Sequence, residues 1–128
     1  MKKQVTLILF LVFAFFNLRA QDAKLNNYIR NHGYVKLSDE PKLPAIVKAN
    51  MRIINKFFLK EKLDRNKFYV TSVTFKKDNQ ILEIFIRDIA GLKMEQQYEN
   101  HPFVGGFPGS GTLSIDLKSK SLHFIGEQ

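Results

Sequence analysis

The chain has 128 residues, no cysteine, no tryptophan and a formal net charge of +8. That length suffices for one packed domain of about 13 Å radius. Without cysteine, disulfides, a thiol nucleophile, a Cys-based zinc site and a bacterial lipid anchor are all excluded.

Residues 1–20 read as a secretory signal peptide. Lys2 and Lys3 give the positive start, Val5 to Phe16 is an almost unbroken apolar run, and Ala20 offers a small residue at the cut. The run is shorter than the ~20 residues that a membrane-spanning helix needs; an uncleaved N-terminal anchor is the alternative. Residues 21–128 are then expected to form a single exported domain, periplasmic or extracellular. Removal of Lys2, Lys3 and Arg19 leaves 17 basic against 12 acidic residues, a net of +5. Residues 42–67 alone carry eight positive and two negative charges. The basicity is therefore local.

Gln21 to His32 reads as a short helix with Leu25, Tyr28, Ile29 and His32 on one side and Gly33 as a left-handed C-cap. Tyr34 to Leu37 is a brief extended segment. Ser38-Asp39-Glu40-Pro41 signals a helix start, although Pro44 leaves the first residue ambiguous. The main helix is expected to run to about Leu63. Val47, Met51, Ile54 and Phe58 recur at helical spacing, widened by Ile46, Ile53 and Phe57. Lys48, Arg52, Lys56 and Lys60 form a row on the opposite face, four residues apart.

Two hairpins follow. Asp78-Asn79 as a two-residue turn pairs Phe75 with Leu82, Val73 with Ile84 and Thr71 with Ile86 on one face, and Thr74 with Glu83 and Val70 with Arg87 on the other. A turn at Ser119-Lys120 pairs Leu117 with Leu122 and Ile115 with Phe124, and sets Asp116 opposite His123. Between the hairpins, Ile89 to Asn100 is a polar connector with room for a helical turn. The expected fold class is α+β: a short N-terminal helix, then one long helix packed on a four-stranded antiparallel sheet of two hairpins.

The segment His101 to Asp116, HPFVGGFPGSGTLSID, holds four of the seven glycines. Gly106 and Gly111 stand five apart, as in a phosphate-binding loop, but Thr112 takes the place of the lysine and a strand takes that of the helix. Phosphate chemistry needs both. What is left is a connector, or a partner-binding loop that exposes Phe103, Val104 and Phe107. Asp116 and His123 are the one acid–imidazole pair that the register makes adjacent, hence the candidate catalytic residues, but no nucleophile or oxyanion donor completes them. His32, His101 and His123 lie in three distant segments and lack the spacing of a metal site, so no metal or cofactor is expected.

The helix-then-hairpins order of Pro41 to Ile125 resembles the cystatin-like and NTF2-like α+β folds. PFVGG partly matches the cystatins' Gln-x-Val-x-Gly loop through Val104 and Gly106, with Pro102 at the glutamine position. The ending GGFPGSGTLSIDLKSKSL is similar to that of small exported NTF2-fold immunity proteins. The resemblance implies a non-enzymatic module that binds a partner protein as an inhibitor or immunity protein. The basic row adds that the partner is acidic; nucleic acid is not expected, because no aromatic residues interleave with the cations. The alternative is a ligand-binding protein or enzyme with a pocket between helix and sheet.

Overall fold

The computed structural model describes residues 23–99 and 109–127. The proposed signal peptide and the Phe103, Val104 and Phe107 loop lie outside them. Helix α1 covers residues 23–31 and strand β1 is Val35–Lys36. A 3₁₀ turn at Glu40–Lys42 leads to α2 (Ala45–Ala49) and α3 (Met51–Lys60). A second 3₁₀ turn at Arg65–Lys67 precedes β2 (Phe68–Lys76), which is followed by β3 (Ile81–Asp88), α4 (Ile89–Gln97), β4 (Ser110–Asp116) and β5 (Ser121–Glu127). All five strands form one antiparallel sheet in chain order, β1-β2-β3-β4-β5. The mixed class is as expected. The sheet gains β1 as a fifth strand, and the long helix is two segments.

Local chemistry explains most element ends. Gly33, at φ +71°, closes α1: the Tyr34 N–H reaches the Ile29 carbonyl and the Gly33 N–H the Arg30 carbonyl, both at 3.1 Å. That is the Schellman arrangement, which favours glycine at this position. α3 ends in the same way with Lys62 (φ 56°) in the glycine's place, and the Leu63 N–H bonds the Phe58 carbonyl at 2.8 Å. Before α2, Leu43 is extended (ψ 150°) because it precedes Pro44, so the helix starts at Ala45 and not at Pro41. The long helix is interrupted at Asn50, whose backbone (φ −109°, ψ 11°) leaves the helical range. Its side-chain amide donates to the Ile46 carbonyl at 2.8 Å. Such a side chain competes with the backbone for its own hydrogen bonds.

The core lies between α2–α3 and one face of the sheet. Val47, Ile54 and Phe58 meet Leu82, Ile84, Ile86, Leu113 and Ile115, each at most 2 % exposed. The β2–β3 turn has Asp78 and Asn79 at φ 55° and 65°, and the pairs Phe75–Leu82, Val73–Ile84 and Thr74–Glu83 are as expected. Beyond them the register departs from expectation. Thr71 bulges out of the ladder, so Val70 pairs with Ile86 and Tyr69 with Arg87. The extra residue inverts the alternation. Val70 therefore enters the core, and Tyr69 turns to the opposite face. There it joins Leu25 and Ile29 of α1, Tyr34 and Leu92 of α4 in a second cluster. The connector after β3 is thus a helix with a packing role, started by Asp88, whose Oδ1 accepts the Gly91 N–H at 2.8 Å.

Candidate functional site

Lys48 on α2 and Arg52, Lys56 and Lys60 on α3 are all exposed, and none forms an ion pair with a described residue. Twelve residues at 1.5 Å rise make the row about 18 Å long. Successive like charges four residues apart repel by about 0.2–0.5 kcal/mol each, so the three steps of the row destabilise the helix by roughly 1 kcal/mol. Two nearby basic residues are neutralised: Arg65 by Glu40 at 2.8 Å and Lys42 by Asp39 at 3.6 Å. Of the eight cations in residues 42–67, the four of the row together with Lys62 and Lys67 form no ion pair with a described residue.

At the C-terminal end of the row lies a cleft of about 540 Å³ bounded by Lys36, Lys62, Lys67, Phe68, Tyr69 and Ile89, with Asp64 and Asp88 at its rim. Both carboxylates are engaged by the backbone: Asp64 Oδ1 accepts the Asn66 N–H at 2.9 Å and Asp88 Oδ1 the Gly91 N–H. The Lys36 ammonium lies 5.7 Å from the centre of the Tyr69 ring. The lining therefore combines three lysines with the aromatic residues Phe68 and Tyr69.

The pair proposed for acid–base work is two residues out of register. Asp116 faces Ser121, and His123 faces Ser114. The hairpin closes with a four-residue loop in which Lys120 takes φ 61° and donates its N–H to the Asp116 carbonyl at 2.8 Å. Asp116 Oδ1 accepts the N–H groups of Lys118 at 2.9 Å and Ser119 at 3.1 Å. The Ser119 bond first, and then that of Lys118, hold its carboxyl below the ordinary carboxylate range. Asp116 is a turn cap. Among the described residues, no three His, Asp or Glu side chains gather as a metal would require, and His101 lies outside those residues.

Sequence reasoning missed a polar cluster behind the sheet. The Tyr28 hydroxyl donates to Glu95 Oε2 at 2.9 Å, and Arg87 Nη1 lies 3.3 Å from Glu95 Oε1. His32 packs on the Tyr28 ring at 4.1 Å, donates its Nδ1–H to the Tyr28 carbonyl at 2.9 Å and approaches Glu99 at 3.5 Å. Burial first, then hydrogen bonding to Glu95, pushes the Tyr34 phenol up to about 12 and that of Tyr28 further up. The cluster straps α1 and α4 to β3. The bonded pair Tyr28 and Glu95 is 67 positions apart in the chain, which hides the cluster from any local pattern.

No known protein family, curated protein or solved structure matches the chain. Among the described residues no helix is long and apolar enough to cross a membrane.

Proposed function

We propose that the chain is a small exported binding module, not an enzyme, that docks on an acidic partner protein through the α2–α3 face in an inhibitor or immunity-type role. The observation that carries this reading is the row Lys48, Arg52, Lys56 and Lys60: exposed, uncompensated among the described residues and kept at a cost to helix stability. A rigid row of one sign steers an oppositely charged surface into register and suppresses wrong partners. The filled space between α3 and the sheet also favours a surface that binds over a pocket that encloses. The likeness of the C-terminal segment to exported immunity proteins supplies the inhibitor role, and the loop bearing Phe103, Val104 and Phe107 would add apolar contacts.

The test is capture of exported proteins by the tagged chain and by a variant with all four cations changed to glutamine, in low salt. Capture by the variant equal to that by the parent would defeat the proposal. Changing Phe103 and Phe107 to serine should weaken capture and leave the melting temperature nearly intact. The cleft between Tyr69 and Ile89 favours a second reading, a small-ligand protein for amphipathic anions. Titration with such a compound, followed by the intensity of tyrosine fluorescence, distinguishes the two.

A further inference from the structure

The two edges of the sheet are built differently. On one side β1 covers only Val70 and Tyr69 of β2, and the rest of that edge carries the Thr71 bulge and Lys76. Bulges and edge lysines discourage strand addition. The other edge, β5, is seven residues long and has no proline and no register shift against β4. It also exposes Phe124 (39 %) and Ile125 (61 %), one on each face.

The direction of its free hydrogen-bonding groups follows from the ladder. The Asp88 N–H donates to the Gly109 carbonyl at 2.8 Å and the Leu117 N–H to the Gln80 carbonyl at 2.9 Å. Odd-numbered residues of β4 therefore direct their backbone groups to β3, and even-numbered ones direct theirs to β5. With Ser114 opposite His123 and Thr112 opposite Ile125, His123 and Ile125 are satisfied by β4. Leu122, Phe124 and Gly126 point their N–H and C=O groups outward.

We infer that β5 pairs antiparallel with β5 of a second copy of this chain, about a two-fold axis at Phe124, to make a continuous ten-stranded sheet. This register sets Phe124 against Phe124 and Leu122 against Gly126, so every outward donor and acceptor of the three residues finds a partner. It is self-complementary, as an isologous contact requires. Leucine meets glycine, which has no side chain to oppose it. The Phe124 ring already lies over Gly111, where a Cβ would come within 2.5 Å of its Cε2, and 5.8 Å from the Phe57 ring. Pairing joins these rings to their equivalents as four stacked aromatics on the helix side. On the other face His123 covers the exposed Ile125 of the second copy. Of the basic row, Lys60 lines one cleft with Leu122 and Phe124 and so stands beside the seam, and the dimer carries two copies of the row.

Sedimentation equilibrium of the purified chain tests this, with Gly126→Pro and Ile125→Lys as variants. Proline at 126 removes an outward N–H and no bond to β4. Lysine at 125 replaces a side chain that is mostly exposed. The expected result is a species of twice the monomer mass for the parent chain and a dissociation constant raised at least about tenfold in both variants, with unchanged circular dichroism. Should the proline variant fail to fold, the lysine variant alone decides. A parent chain that is monomeric at about 100 µM, where micromolar pairing would be complete, overturns the inference. So does a dimer indifferent to both variants, an open-ended polymer, or a foreign strand bound at β5 of a monomer.

Discussion

Replacing Gly109 by alanine probes the junction that delivers β4 to the sheet. Gly109 has φ +79°, and its carbonyl accepts the Asp88 N–H. A methyl group there would sit 2.5 Å from the carboxylate carbon of Asp88, the residue that caps α4. Two costs follow. Holding alanine in the left-handed region costs about 1 kcal/mol more than glycine. Rotating the Asp88 carboxylate away from the Gly91 N–H gives up the cap, worth about 1 kcal/mol. The sum, about 2–3 kcal/mol with residual crowding, is a large share of a stability of roughly 5–15 kcal/mol. It corresponds to a fall of roughly 10–20 °C in melting temperature. Urea denaturation followed by circular dichroism should show a lower midpoint at unchanged slope. Asp88→Ala should cost about 1 kcal/mol, and in that background Gly109→Ala should cost only its backbone part, a coupling of about 1 kcal/mol. Additive losses would refute the argument that the glycine is needed for the carboxylate.

Other consequences are simpler to check. Asn79→Gly relieves a left-handed residue (φ 65°) in the β2–β3 turn and should stabilise by about 0.5–1 kcal/mol in a urea melt. Arg52→Gln removes two like-charge contacts, with Lys48 and Lys56, and should stabilise by about 0.5–1 kcal/mol in low salt; the gain should shrink in 1 M salt, where screening is nearly complete. Spectrophotometric titration should show Tyr34 ionising near pH 12, and Glu95→Gln should bring that midpoint down. Because burial raises this folded-state value above the ordinary 10.0, the contribution is intact below pH 10. It is lost as the pH rises towards 12, since the unfolded chain then binds fewer protons than the folded one. Denaturation midpoints that rise through this window would contradict the sign.

How far the fold could be read from the residues depended on whether a signal was local. Asp78-Asn79 forces a tight hairpin through its left-handed turn, and the alternation of Val73, Phe75, Leu82 and Ile84 agrees with it. The Thr71 bulge has no such mark: valine, threonine and serine suit either register, and only the depth of the core decides which face Val70 takes. The β4–β5 slip is subtler. A shift of two residues leaves every side chain on the same face, so hydrophobic pattern alone cannot separate a two-residue turn at Ser119-Lys120 from the loop that Asp116 caps. β1 is only two residues long and owes its place to Tyr69 and Val70 across the ladder. The basic row was legible because four-residue spacing is intrinsic to a helix, and the break at Asn50 left its members on the exposed side. The cluster of Tyr28, His32, Arg87 and Glu95 depends on α1 and α4 meeting behind the sheet, which no local spacing announces.

The central claim is that the Lys48, Arg52, Lys56 and Lys60 row recognises an acidic partner. Its most direct test is the dissociation constant of the captured partner for the parent chain and the four-glutamine variant, measured from 20 mM to 300 mM salt. Binding by the variant should be at least about tenfold weaker at low salt, with the two curves converging as the charges are screened. Equal affinities across the whole salt range would contradict it.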